Sequence, residues 1–242
     1  MLMNTIIVLI GSMLGGFAQT VTGFGCGIVI MLFLPYIMPV VQASGLSVLI
    51  TMILNVMLVV KYRKSINMRL VLMPAVISFA VSTLCIYIGN NLELAVMKII
   101  FSVFLIALAL YFIFFSERIK LEANLPTVAV CAALAGAANG LFGIGGPPMA
   151  LYFLTVTKDK ETYIGTTQTY FLLTSAYTTM IRIFSGVFDR ELLMMAVPGI
   201  AAILLGEYIG IRVVDRISHQ KIKKVIYLFL IVSGVITLVQ TI

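Results

Sequence analysis

Residues 16–27 read GFAQTVTGFGCG, and residues 136–147 read GAANGLFGIGGP. Set 120 positions apart, Gln19 faces Asn139, Gly23 faces Gly143 and Gly25 faces Gly145. Each copy places an amide side chain and a glycine cluster inside a long apolar stretch. Irregular backbone is not tolerated where it touches lipid, so such a segment must line a cavity or be buried in protein. Interrupted apolar segments at matching places in two halves of a membrane chain point to a transporter's binding site.

The surrounding composition makes a membrane setting necessary. Of 242 residues, 62% are hydrophobic and 10% charged, with a mean hydropathy of +1.16. Apolar runs cover roughly 3–34, 40–60, 70–88, 94–115, 126–157, 163–184, 191–211 and 222–241. Six have the length of one spanning helix. The first and fifth are longer and carry the glycine clusters, so a break is expected in each. The fold class is therefore an all-α polytopic membrane protein with eight apolar segments. The net charge of +7 is what cytoplasmic loops of such a protein carry, and no nucleic-acid partner follows from it. Cys26, Cys85 and Cys131 have no metal-ligand spacing and read as small apolar residues. With no tryptophan, tyrosines are the expected interface anchors. The first segment lacks the basic start and cleavage pattern of a signal peptide. No catalytic residue, metal site or cofactor is expected.

The charges decide between two topologies. Eight single crossings would divide the counted basic residues seven against seven, which the positive-inside rule disfavours. If each long run enters and returns as a hairpin, the 61–69, 116–125, 158–162 and 212–224 loops share one side. That side then holds thirteen basic residues against one, Arg190. The hairpin topology puts both termini outside and opens one hairpin to each face. About 14 residues on each side of the break suggest shallow re-entrant pieces. Each half, 1–120 and 121–242, then has a hairpin and three crossings, and the odd number makes the halves inverted repeats. Pro74 and Pro198 extend the match at an offset of 124.

Glycines in membrane helices often serve close packing, and Gly11, Gly15, Gly199 and Gly206 are read that way. The two clusters are different. Pro147 and Pro148 lack amide donors and suit a helix's first turn, so a helix is expected from about Pro147 through Thr155. Its counterpart should start near Gly27 and run through Leu34. Helix starts inside the membrane present free N–H groups and a partial positive charge. Two such starts could share an anion without a buried Arg or Lys. The candidate binding residues are Gln19, Thr20, Thr22, Gly23, Gly25, Asn139, Gly143, Gly145, Gly146 and Pro147. Purely structural breaks are the alternative.

Gln168 with Thr166, Thr167 and Thr169, and Gln42 with Ser44 opposite, either line a path or cap and pack. Asn55 and Ser47, in mid-helix, read as bridges between helices. Arg182 either snorkels outward or draws anions to the outer vestibule; Lys98 is similar. Glu207, within a crossing, is a coupling candidate or a partner for Arg212. His219 reads as a solvated loop residue.

The GGFAQTVTGFGCG and AGAANGLFGIGGPP segments resemble the sulfite exporter TauE/SafE family of membrane permeases, across essentially the full chain. The resemblance implies secondary transport of sulfur-containing or organic anions: sulfite, thiosulfate, sulfoacetate or sulfonates. It carries the site to Gln19, Thr22, Gly23, Gly25, Asn139, Gly143, Gly145, Gly146 and Pro147. The first copy has Cys26-Gly27 in place of Gly146-Pro147, so its cradle is less rigid. The expected partners are a small anionic substrate, membrane lipid and a coupling proton or sodium ion, in a multi-pass protein of the cell inner (plasma) membrane. A channel for a small anion or neutral solute remains the alternative. A membrane enzyme is disfavoured for want of any interior His/Asp/Glu cluster, and a scaffold would move no anion.

Overall fold

A computed structural model describes residues 2–23, 25–114, 124–213, 228, 231–232 and 234–241. Every regular element among them is helical. In chain order these are α1 (Leu2–Thr22), α2 (Cys26–Met31), α3 (Val40–Lys61), α4 (Met68–Asn91), α5 (Leu94–Phe114), α6 (Leu125–Phe142), α7 (Gly146–Val156), α8 (Lys160–Phe184) and α9 (Arg190–Val213), with single 3-10 turns at Leu34–Tyr36 and Arg63–Ser65. Residues 234–239, in the last apolar run, are also helical. Six helices, α1, α3, α4, α5, α6 and α9, are long and apolar enough to cross a membrane. Outward apolar side chains such as Leu72, Val76 and Val197 are exposed, as a lipid-facing surface requires.

Both long runs break where the glycines fall. α1 ends at Thr22 and α6 at Phe142, each followed by a glycine in the left-handed region, Gly23 at φ +79° and Gly143 at φ +68°. Glycine adopts that region without the steric cost other residues meet. The chain then doubles back. Gly11 lies against Phe33, and Gly15 against Ile30 and the Cys26 carbonyl, an antiparallel order. The arms are less even than the sequence suggests. α1 has 21 residues and α2 has 6, about 32 and 9 Å of helix; α6 has 18 and α7 has 11. The first arms have spanning length by themselves, because the breaks sit late in each run and α6 begins at its Asn124–Pro126 cap. There the Thr127 N–H donates to Asn124 Oδ1 at 2.9 Å, and Pro126 occupies the first turn.

The loops meet as hairpins require. Ser65 Oγ lies 3.4 Å from Glu161 Oε2, and the Asn67 N–H donates to Thr166 Oγ1 at 3.1 Å. Eight single crossings would hold the 61–69 and 158–162 loops a membrane thickness apart. At the other end, Met38, Leu94 and Gln240 border one cleft, and Gly45 faces Val187 and Phe188. The 116–123 and 214–224 basic segments, with His219, lie outside the described residues.

Packing exchanges the halves. α1 packs on α9 and α6 on α4; α3 packs on α9 and α8 on α4; α3 and α8 pack on each other. Small residues set the closest crossings. A methyl on Gly16 would collide with the Ile203 carbonyl, and one on Gly206 with the Met13 carbonyl. Across α6 and α4, Gly136 and Gly140 lie against the backbone at Ser78 and Ser82. Gly199 faces Ile50 and Val8, so the four glycines assigned to packing do pack.

α8 is the most polar of the long helices and sits innermost. Thr166, Gln168, Thr174, Ser175, Thr178 and Arg182 are all buried on it. Its start is fixed by Asp159, whose carboxylate accepts from the Thr162 N–H and hydroxyl, both at 2.9 Å. Those bonds hold the carboxyl below its ordinary value.

Candidate functional site

The two breaks meet. A methyl on Gly27, in the first turn of α2, would stand 3.2 Å from the Gly143 carbonyl and 3.7 Å from the Ser47 hydroxyl. Between them is a cavity of about 50 Å³. A buried water needs roughly 10–15 Å³ of such space, so about four water-sized atoms fit. Gln19, Asn139, Gly143, Gly145 and Gly146 line it, joined by Thr51 and Asn55 of α3, Thr174 and Ser175 of α8, and Cys26 and Gly27.

The second break has the stronger anion-binding geometry. α7 starts at Gly146, with Gly145 as the residue before it. Pro147 and Pro148 have no N–H, so the free donors at this helix start are those of Gly145 and Gly146. The two glycines line the cavity, and a helix start adds a partial positive charge there. Close contact keeps them glycine: a methyl on Gly145 would stand 2.9 Å from the Ala135 carbonyl and from Asn139 Cβ. Pro147 is buried beneath the first turn, outside the cavity lining.

The first break is closed by its own glutamine. Gln19 Oε1 accepts the Cys26 N–H at 3.3 Å, and its Nε2 donates to the Gly23 carbonyl at 3.0 Å. Gln19 therefore ties the end of α1 to the start of α2. Gln168 Nε2 donates to the same Gly23 carbonyl at 2.9 Å. The first copy reads as the less rigid cradle for want of a proline pair, and the second break alone carries a helix of more than two turns behind it. Thr20 turns from the cavity, donating to the Gly16 carbonyl at 3.2 Å and packing on Gly210 of α9. Gly23 and Gly25 shape the break without bordering the cavity, and the side chain of Thr22 is outside the described residues. Gln42 is half-buried at the start of α3 and away from the cavity.

Arg182 overturns the outward snorkelling reading, and with it the expectation of no buried cation. It is fully buried, and its Nη2 donates to the carbonyls of Asn139 and Gly140, both at 2.9 Å. Those carbonyls belong to the last turn of α6, where the Gly143 N–H also donates to Asn139 at 2.9 Å and helix-end carbonyls outnumber the backbone donors. The arginine turns inward to the negative end of that helix. The buried Oε2 of Glu207 has no hydrogen-bond partner among the described residues. Arg212, its expected partner, lies over the Tyr208 ring at 3.9 Å.

Asn55, Thr51, Thr174 and Ser175 complete the cavity without having been assigned to it from sequence. The usable signal was the spacing of Thr167, Gln168, Thr174, Ser175, Thr178, Thr179 and Arg182, a polar face repeating at helical period along α8.

A family model described as sulfite exporter TauE/SafE matches residues 8–237. The chain belongs to this family. TauE/SafE proteins are membrane transporters of anions of the sulfite type, so the chain is a transport protein and not an enzyme. No curated protein and no solved structure gives a significant match to the chain.

Proposed function

We propose that this TauE/SafE protein is a secondary permease whose substrate is a small oxyanion of the sulfite class, held between the two helix breaks. The observation that carries this is the α7 start, whose Gly145 and Gly146 line a cavity of about 50 Å³ beside Asn139, Asn55 and Ser175. Room for about four water-sized atoms suits the four heavy atoms of sulfite better than a sulfonate with an organic tail. The neutral amides of Asn139 and Asn55 and the hydroxyl of Ser175 complete the coordination. A site without a charged lining binds weakly enough to release its cargo.

Residues 1–120 and 121–242 act as two inverted repeats. The exchanged packing of α1 with α9 and of α6 with α4, about the α3–α8 pair, supports this. Rocking of one repeat against the other would expose the cavity to each side in turn. Glu207, beside the α1 arm with its unpartnered Oε2, is the acid placed to carry a coupling proton. The setting proposed is the cell inner (plasma) membrane.

The test is a thermal-shift and liposome-uptake screen of the purified protein across sulfite, sulfate, thiosulfate, sulfonates and small carboxylates. Sulfite should raise the melting temperature and accumulate saturably, because a ligand bound only by the folded state stabilises it by mass action. Stabilisation by none of the anions, with no uptake, would overturn the reading; non-saturable flux would assign a channel.

A further inference from the structure

Basic side chains are ordinary on the inner loops of a membrane protein, but nothing in that rule gathers them into one cleft. Here Lys61, Arg63 and Lys64 line a single open cleft of about 670 Å³, together with the apolar Val60 and with Glu161 of α8. Three cations against one acid leave the cleft positive. Among the described residues no carboxylate forms an ion pair with any of the three, and Lys61 Nζ lies over the Tyr62 ring, 5.4 Å from its centroid. The cleft at the other end of the molecule, bordered by Pro35, Leu94 and Gln240, has one cation in its lining, Lys98.

The turn that carries these cations is held from both halves of the chain. The Ser65 N–H donates to the Tyr62 carbonyl at 2.9 Å, closing the Arg63–Ser65 turn. Ser65 Oγ meets Glu161, and a methyl on Gly165 of α8 would stand 3.1 Å from the Tyr62 carbonyl. On the membrane side of the turn, Val56, Met57 and Val60 are exposed in the last turns of α3, a helix of spanning length. Val56 and Val60 are four residues apart, as are Met57 and Lys61, so an apolar stripe runs up one helix face to the cations.

We propose that this cleft seats an anionic phospholipid, its phosphate among Lys61, Arg63 and Lys64 and an acyl chain along Val56, Met57 and Val60. Basic pockets at the inner ends of spanning helices attract anionic headgroups, and the charge balance of the cleft sets that sign here. The adjoining stripe makes the occupant a lipid: a soluble phosphate would answer the cations and leave the exposed apolar face uncovered. Glu161 is placed to accept from a headgroup hydroxyl, which suits phosphatidylglycerol. The site stands apart from the cavity between the breaks and does not depend on what that cavity carries.

Native mass spectrometry of the purified full chain, released from micelles holding equal phosphatidylglycerol and phosphatidylcholine, tests this. The wild type should retain phosphatidylglycerol in preference. The double variant Arg63→Gln, Lys64→Gln should weaken that retention about tenfold or more. The double variant Lys158→Gln, Lys160→Gln removes equal charge from exposed positions outside the cleft and should leave it in place. Val60→Asn should weaken retention with no change of charge. Thermal unfolding in phosphatidylcholine alone identifies any variant that has lost its fold. Equal retention of the two lipids by the wild type, or equal losses from the two double variants, would overturn the site. Displacement of the lipid by excess glycerol phosphate would assign the cleft to a free anion instead, and a dimer that retains no phosphatidylglycerol would assign the face to a second copy; either result also overturns the proposal.

Discussion

Gly23 and Gly143 occupy matching positions in the two breaks and share a left-handed backbone, yet their surroundings differ. A methyl on Gly23 would meet nothing within 4 Å, whereas one on Gly143 would stand 2.9 Å from the Ser44 carbonyl and from Val48 Cγ2. Gly23→Ala should therefore cost only the backbone strain of a left-handed alanine, about 1–2 kcal/mol. Gly143→Ala adds overpacking against α3 backbone, about 1–3 kcal/mol more, for a total of about 2–5 kcal/mol. Asparagine tolerates the left-handed region better than alanine, so Gly23→Asn should recover part of the loss at the first break. Gly143→Asn should not, because its Cβ meets the same atoms. The assay is SDS-titrated unfolding in mixed micelles, with sulfite uptake alongside. Equal losses for the two alanine variants, or a neutral Gly143→Ala, would refute the contact geometry at the second break.

Gln19→Leu removes both bonds that tie α1 to α2 and leaves the buried Cys26 N–H unanswered, so unfolding titrations should show a loss of about 1–3 kcal/mol. A neutral result would show that Gln19 does not hold the break. Glu207→Gln should leave sulfite binding in place and abolish the acceleration of uptake by an imposed proton gradient; persistent acceleration would remove Glu207 from coupling. Single cysteines introduced as Lys64→Cys and His219→Cys should react with an impermeant thiol reagent from the cytoplasmic side, and Asn90→Cys from the outside. Labelling of the first two from opposite sides would restore a chain of single crossings.

Much of this architecture is written locally. The breaks follow from glycine clusters that no continuous helix would keep, and the accumulation of Lys and Arg points to a hairpin topology. Both are one-dimensional signals; the Ser65–Glu161 contact brings together two of the basic loops that the charge count puts on one side. The helix starts at Gly146 and Cys26 fall within a residue of where prolines and repeat register put them. What sequence could not give was the use of each polar group. Gln19 and Asn139 are equivalent in the repeat, but Gln19 is consumed by a bond to Cys26 seven residues on. That depends on the exact path across the break. Arg182 sits near the end of its apolar run, where snorkelling is the ordinary outcome. It turns inward because the carbonyls ending α6 lie across the bundle, and no spacing within α8 reveals them. The polar face of α8 was visible in its periodicity, but only the packing of α8 against α3, α4 and α7 puts that face inside.

The central claim is that an oxyanion sits between the breaks against the α7 start. Selenite, a sulfite mimic with a strong anomalous signal, tests it in a crystal of the wild-type protein. The account predicts an anomalous peak bordered by Gly145, Gly146, Asn139, Asn55 and Ser175. A protein that transports selenite but shows its peak elsewhere, with this cavity empty of it, would contradict the account.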